Sequence, residues 1–164
     1  MQFHTGYQKT LFLQAIEENT PHVQWSENLG VKHVYEVPCV VGRHVIYEMQ
    51  DGNPNLLNDE EFIKDALKKA AEDSGATLLS IISHKFEPQG VTAVALLSES
   101  HISIHTWPEH GYAAVDAFTC GEHTNPEVAC GTLRQAFNSG YGTMKLVRRL
   151  GPTPSQRPLQ GSAP

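Results

Sequence analysis

The stretch "VTAVALLSESHISIHTWPEHGYAAVDAFTC", Val91 to Cys120, decides the fold. Three segments within it, "VTAVALLS", "HISIHT" and "YAAVDAFTC", place apolar or β-branched residues at alternate positions, the period of a half-buried strand. Between the last two lies "WPEHG", with Pro and Gly where the chain must reverse, so these two segments pair as a hairpin. Upstream, "ATLLSIISHKF" reads as another strand, joined to "VTAVALLS" around "EPQG" as a second hairpin. The alternation breaks at Glu99 and Ser100, between two strands.

Moving outward, "RHVIYEM" is a strand by the same pattern. A helix follows it. Asn58 is its expected N-cap with Glu61 at capping-box spacing; Phe62, Ile63, Ala66, Leu67 and Ala70 form its apolar stripe, and Gly75 ends it. Downstream, Asn125 and Pro126 are an N-cap and first-turn pair opening a helix through Val128, Leu133 and Phe137 that stops near Gly140. "TMKLVRRL" is a final strand. The order is strand, helix, four strands, helix, strand. This predicts an α+β fold, a two-layer sandwich of a mostly antiparallel sheet with helices on one face.

Three zones follow along the chain. Residues 1–41 form an N-terminal extension without regular pattern, 42–150 carry the fold, and "GPTPSQRPLQGSAP", 151–164, is a Pro/Gly/Ser/Gln tail with little to bury. With 164 residues, 40% of them hydrophobic and 18% charged, the chain suits one globular domain with a core. The formal net charge of −6 and the absence of a Lys/Arg run argue against nucleic acid as a partner. Cys39, Cys120 and Cys130 are odd in number and include no Cys-x-x-Cys pair, which fits a reducing cytoplasm better than a disulfide or zinc framework. No segment approaches the roughly 18 apolar residues of a membrane span, so a soluble protein is expected.

Taken alone, Glu99 and Ser100 are ordinary turn residues. What raises them is the set Ser100, His105 and Cys120 on consecutive strands, from which a nucleophile, a base and a proton-transfer thiol can converge.

"SESHISIHTWPEHGYAAVDAFTCG" resembles the prokaryotic S-adenosylmethionine decarboxylase proenzymes, a pyruvoyl-dependent family with a Glu-Ser-His start, an Ile-His-Thr segment, a Pro-Glu turn and a Phe-Thr-Cys-Gly end. The likeness extends upstream through "GRHVIYE" and "AAEDSGATLLSIISHKFEPQGVT" and downstream to about Leu150. It implies that the chain cuts itself between Glu99 and Ser100, and that Ser100 becomes a pyruvoyl group at the new N-terminus. The Ser hydroxyl can attack the Glu99 carbonyl to give an ester; elimination then leaves a dehydroalanine, and hydrolysis of that enamine, with loss of ammonia, leaves the pyruvoyl ketone. A pyruvoyl ketone can capture a substrate α-amine as a Schiff base and take up the electrons released as carbon dioxide departs, in place of pyridoxal phosphate.

Carried over by position, the resemblance makes His105 the His that assists processing and Cys120 the thiol that reprotonates the product carbon. Thr92 stands where the family has a processing Ser, Phe86 matches an aromatic used against the adenine or sulfonium, and Glu109 an acid suited to ribose hydroxyls. His101 is given no catalytic role, and Cys39 and Cys130 are read as buried thiols. Two departures stand out: "EMQDGNPN" lacks the family's Gly-Cys near the helix entry, and residues 1–41 lie outside the likeness. The expected activity is decarboxylation of S-adenosylmethionine for spermidine synthesis. The alternatives are the same pyruvoyl chemistry on ornithine or arginine, or a non-catalytic module binding metal through His101, His105 and His110. A sheet with helices on one face leaves its other face needing cover, so a homodimer of cleaved chains is expected, with no metal and no membrane partner.

Overall fold

The structure, a computed structural model, describes residues 22–25, 32–35 and 40–151. Its centre is a six-stranded sheet whose order is β4-β5-β6-β7-β3-β8. The strands are β3 (Val40–Gln50), β4 (Leu78–Lys85), β5 (Val91–Leu97), β6 (Ser100–Trp107), β7 (Tyr112–Thr119) and β8 (Tyr141–Leu150). β4/β5, β5/β6, β6/β7 and β7/β3 all pair antiparallel. The first strand of this sheet therefore lies between the last two, and β4 and β8 form its edges.

Alternation in sequence becomes two faces in space. Val45, Tyr47 and Met49 of β3, Val91, Ala93, Ala95 and Leu97 of β5, Ile102 and Ile104 of β6, and Ala113, Val115 and Ala117 of β7 are all buried on one side. Onto that side pack α2 (Glu60–Asp73) through Ile63, Ala66, Leu67, Ala70 and Ala71, and α3 (Pro126–Ala136) through Ala129, Cys130 and Leu133. The helices sit on one face, as the pattern predicts. Alanines on β5 and β7 let them approach closely, and Phe137 fills the remaining space edge-on to Phe62, with ring centroids 5.5 Å apart.

Among the described residues, no element covers the opposite face. It presents Ile82 of β4, Leu96 of β5, His101, His105 and Trp107 of β6, Phe118 of β7 and Ile46 of β3, following the cross-strand registers. Ile82 is 68% and Leu96 50% exposed.

The helix caps correct the sequence reading by one residue. A short helix, α1 (Pro54–Leu57), precedes α2; Asn53 caps it, with its Oδ1 accepting from Asn55 N–H at 3.0 Å. Asn58 terminates α1, and its Oδ1 accepts from Gly90 N–H at 3.0 Å, leaving Asp59 to cap α2 by accepting from Phe62 N–H at 3.0 Å. No capping box forms, although Glu60 and Glu61 still favour the positive end of α2. Gly75, at φ 77°, ends α2 as expected. Asn125 caps α3 as predicted, accepting from Glu127 N–H at 3.0 Å, whereas Val128 lies exposed and Ala129 and Cys130 face the core.

The extension is not without pattern: β1 (His22–Trp25) and β2 (Lys32–Tyr35) pair antiparallel as a separate two-stranded sheet. Four residues are too few for alternation to stand out in sequence. Cys39 and residues 152–164, with the expectations placed on them, lie outside the described residues. Among those described, no helix is long and apolar enough to cross a membrane.

Candidate active site

Ser98 and Glu99 form the turn between β5 and β6, and Ser100 is the first residue of β6, in register with Leu97 on one side and Thr119 on the other. This turn is held at several points. The Glu99 carbonyl accepts from Cys120 N–H at 3.1 Å. The Glu99 carboxylate accepts from Thr77 N–H at 2.9 Å and from Thr77 Oγ1–H at 3.2 Å, and His123 Nε2 lies 3.3 Å from it. The Thr77 backbone donor is the main reason its pKa falls below the ordinary carboxylate value, with His123 adding to it. The side chain is thus tied to neighbouring segments while the carbonyl stays against β7.

Ser100 is strained. Its φ of 147° belongs to a region that is essentially reserved for glycine. Its Oγ lies 3.2 Å from His101 Nδ1. A hydroxyl, an imidazole, and a carbonyl already receiving an N–H donor therefore meet at the start of β6. This is the equipment for an attack of Oγ on the Glu99 carbonyl carbon, with the Cys120 N–H placed to hold the oxygen as it gains charge.

Cys120 follows β7 directly, half-buried and free; its own carbonyl accepts from Thr124 Oγ1–H at 2.9 Å. Cys130 is fully buried on α3, and burial pushes its thiol up to about 12, so it carries no thiolate at neutral pH.

His105 is elsewhere. Its Nδ1 lies 2.8 Å from Thr92 Oγ1, and the two residues face each other across β5 and β6. Five residues of strand separate it from Ser100, about 16 Å at the usual rise. Within one chain the structure does not bring Ser100, His105 and Cys120 together, contrary to the expected convergence: Ser100 and Cys120 share one end of β6, and His105 and Thr92 lie toward the other. Thr92 nonetheless keeps the hydroxyl contact that a Ser would make.

Phe86 and Glu109 lie at the His105 end. Phe86 sits in the turn after β4, 47% exposed, edge-on to His84 with centroids 4.6 Å apart. Glu109 belongs to the short 3₁₀ turn Pro108–His110, closed by Gly111 at φ 58°, and accepts from Gln89 Nε2–H at 3.1 Å. It lines an open polar recess of about 680 Å³ with Asn55, Asn58, Asp59, Lys85 and Gln89. Trp107 packs on Tyr112, whose hydroxyl donates to Glu48 and is pushed up to about 12 mainly by that bond. His101 and His105 are engaged with Ser100 and Thr92, and no metal-holding group of three or more His, Cys, Asp or Glu occurs among the described residues.

Residues 43–150 match the protein family described as S-adenosylmethionine decarboxylase. The chain belongs to this family. A relative in Parasynechococcus marenigrum (strain WH8102), named S-adenosylmethionine decarboxylase proenzyme, is 56% identical over 110 residues, covering 67% of this chain and 86% of the relative. One of the same name in Methanococcus aeolicus is 54% identical over 94 residues, covering 57% of this chain and 80% of the relative. The crystal structure of the adenosylmethionine decarboxylase from Aquifex aeolicus superposes with a TM-score of 0.65 at 30% identity, covering 72% of this chain and 98% of that one. The matched residues span nearly all of the six-stranded sheet and both long helices. Sequence reading missed three contacts at that turn: Thr77 and His123 on Glu99, which are remote in sequence, and His101 on Ser100.

Proposed function

We infer that this chain is a self-cleaving S-adenosylmethionine decarboxylase proenzyme, which breaks its own backbone between Glu99 and Ser100 and then removes carbon dioxide from S-adenosylmethionine. The observation that carries this is the turn itself: a strained Ser100 beside a carbonyl that accepts from Cys120 N–H, in a chain of this family. The residues present fit a pyruvoyl group made from Ser100, since the nucleophile, the acyl carbon and the oxyanion donor adjoin one another. Such a group supplies an electron sink for the bond that loses carbon dioxide. Cys120 is the proton donor to the product carbon, Thr92 orients His105 for processing, and Phe86 and Glu109 receive the adenosyl portion. The decarboxylated product is an aminopropyl donor for spermidine synthesis. Free thiols at Cys120 and Cys130 suit a reducing cytoplasm.

The working unit is a homodimer. One chain places Ser100 and Cys120 about 16 Å along β6 from His105, and its open sheet face exposes Ile82 and Leu96. Two sheets facing each other in opposite senses cover those side chains and set the His105 end of one copy over the Ser100 end of the other.

Intact-mass measurement tests the reading. Purified protein should resolve into fragments 1–99 and 100–164, the second carrying a pyruvoyl in place of Ser100; a single chain with unmodified Ser100 overturns it. Carbon dioxide release should occur with S-adenosylmethionine and not with ornithine or arginine. Mixing Ser100→Ala and His105→Ala chains before processing should restore part of the activity if sites are shared between copies.

A further inference from the structure

Ser100 and His101 are neighbours in β6, and neighbours in a regular strand project to opposite faces. Their side chains nevertheless meet, with Ser100 Oγ 3.2 Å from His101 Nδ1. The backbone explains why. At φ 147° Ser100 leaves the extended region of L-residues, which breaks the alternation at the first residue of the strand. His101 keeps its regular place on the open face, between Leu96 of β5 and Phe118 of β7, its ring edge-on to Phe118 with centroids 6.1 Å apart. A packed imidazole is fixed, and the strained residue turns its hydroxyl toward it.

We propose that His101 is the base that activates Ser100 for self-cleavage, and the acid that completes the first step. The inference rests on the self-cleavage reading above. Oγ–H gives its proton to Nδ1 as Oγ bonds to the Glu99 carbonyl carbon. The π pair moves onto the Glu99 oxygen, which accepts from Cys120 N–H. The C–N bond then breaks, the carbonyl reforms as an ester, and the proton on Nδ1 passes to the departing Ser100 nitrogen. No external reactant is needed. His105 cannot do this within its own chain: its Nδ1 is engaged by Thr92, and it lies about 16 Å away along the strand.

Among the described residues of its own chain, His101 is the base whose nitrogen contacts Ser100 Oγ. Its cross-strand neighbours Leu96 and Phe118 are apolar. Beyond Phe118, His44 Nε2 lies 3.2 Å from Asp116 and the Arg149 guanidinium sits 5.2 Å from the Phe118 ring centre. Glu99 is turned toward Thr77 and His123, and the Cys120 thiol is the remaining titratable group at the turn.

The test follows cleavage of freshly made full-length chain by intact mass from pH 5 to 9, with and without hydroxylamine, which cuts an ester. His101→Asn keeps a polar atom near the place of Nδ1 but cannot take a proton. It should cleave at least about 100-fold more slowly, lose the wild-type chain's rise in rate with pH, and show no hydroxylamine-sensitive bond while melting normally. His105→Asn should instead accumulate the hydroxylamine-sensitive ester. A wild-type rate in His101→Asn, or ester accumulation in it, overturns the proposal. Should the Asn variant fail to fold, His101→Gln carries the same test. An uncut wild-type chain would sink the self-cleavage reading itself, whereas a cut wild type with an equally cut His101→Asn sinks only the role of His101.

Discussion

Two uncleavable variants isolate the strain at position 100. Ser100→Ala removes the nucleophile but keeps a Cβ on a backbone with φ 147°. Ser100→Gly removes both. A non-glycine residue in this region costs about 1–3 kcal/mol, and glycine relieves most of that. Against it stands the greater freedom of glycine in the unfolded chain, about 0.5–1 kcal/mol. Taking the middle of each range, the balance makes Ser100→Gly more stable than Ser100→Ala by about 1 kcal/mol. For a folded unit of this size the gain is roughly 2–8 °C in Tm. Urea denaturation and thermal melts of the two proteins, both uncut, measure it directly. Equal stability, or a less stable glycine variant, would refute the argument that the residue to be cut is held in a disfavoured backbone.

Three further outcomes follow from the same region. Thr119 is 1% exposed and its Oγ1 has no hydrogen-bond partner among the described residues; replacing that buried hydroxyl in Thr119→Val, on a Ser100→Ala background, should stabilise the chain by about 1 kcal/mol in urea melts, and a loss would show that the hydroxyl is satisfied. Glu99 titrates below its ordinary 4.5 in the folded chain, so its stabilisation is full above that pH and fades as pH falls through the lower folded value. The Tm advantage of Ser100→Ala over the Glu99→Gln, Ser100→Ala double variant should therefore shrink on acidification below about 4.5, and an advantage that grows there counts against the clamp. Thr92→Ser should retain the bond to His105 and process normally, while Thr92→Val should slow pyruvoyl formation about tenfold or more; equal rates for the two would remove Thr92 from the chemistry.

Much of the fold was legible because its strands obey a simple rule. β5, β6 and β7 alternate cleanly, and the single covered face follows from which parity is apolar. The α2 cap was off by one because Asn58 and Asp59 are both good caps, and only the contact from Gly90 N–H to Asn58 decides between them. The site was legible in its members but not in its arrangement. Ser100, His105 and Cys120 stand out as chemistry-bearing residues, yet strand rise alone separates the first two by about 16 Å. His101 was passed over because it lies four residues from His105 on the same strand face, where one imidazole was enough for the expected chemistry, and the φ that turns Ser100 toward it has no signature in the residues. The clamp on Glu99 joins Thr77 and His123, which lie 22 and 24 positions away, and only the folded sheet brings them together.

The strand order has a consequence for a chain cut as proposed between Glu99 and Ser100. β3 comes from the upstream piece but is sandwiched between β7 and β8 of the downstream piece, while β5 and β6 grip each other beside the break. The two pieces are interlaced like the teeth of a comb, so neither can slip away without tearing open a ladder in the middle of the sheet. A gene bisected at the same peptide bond could still yield interlocked pieces. It would yield a sterile one, because residue 100 would enter the fold with no acyl neighbour to shed.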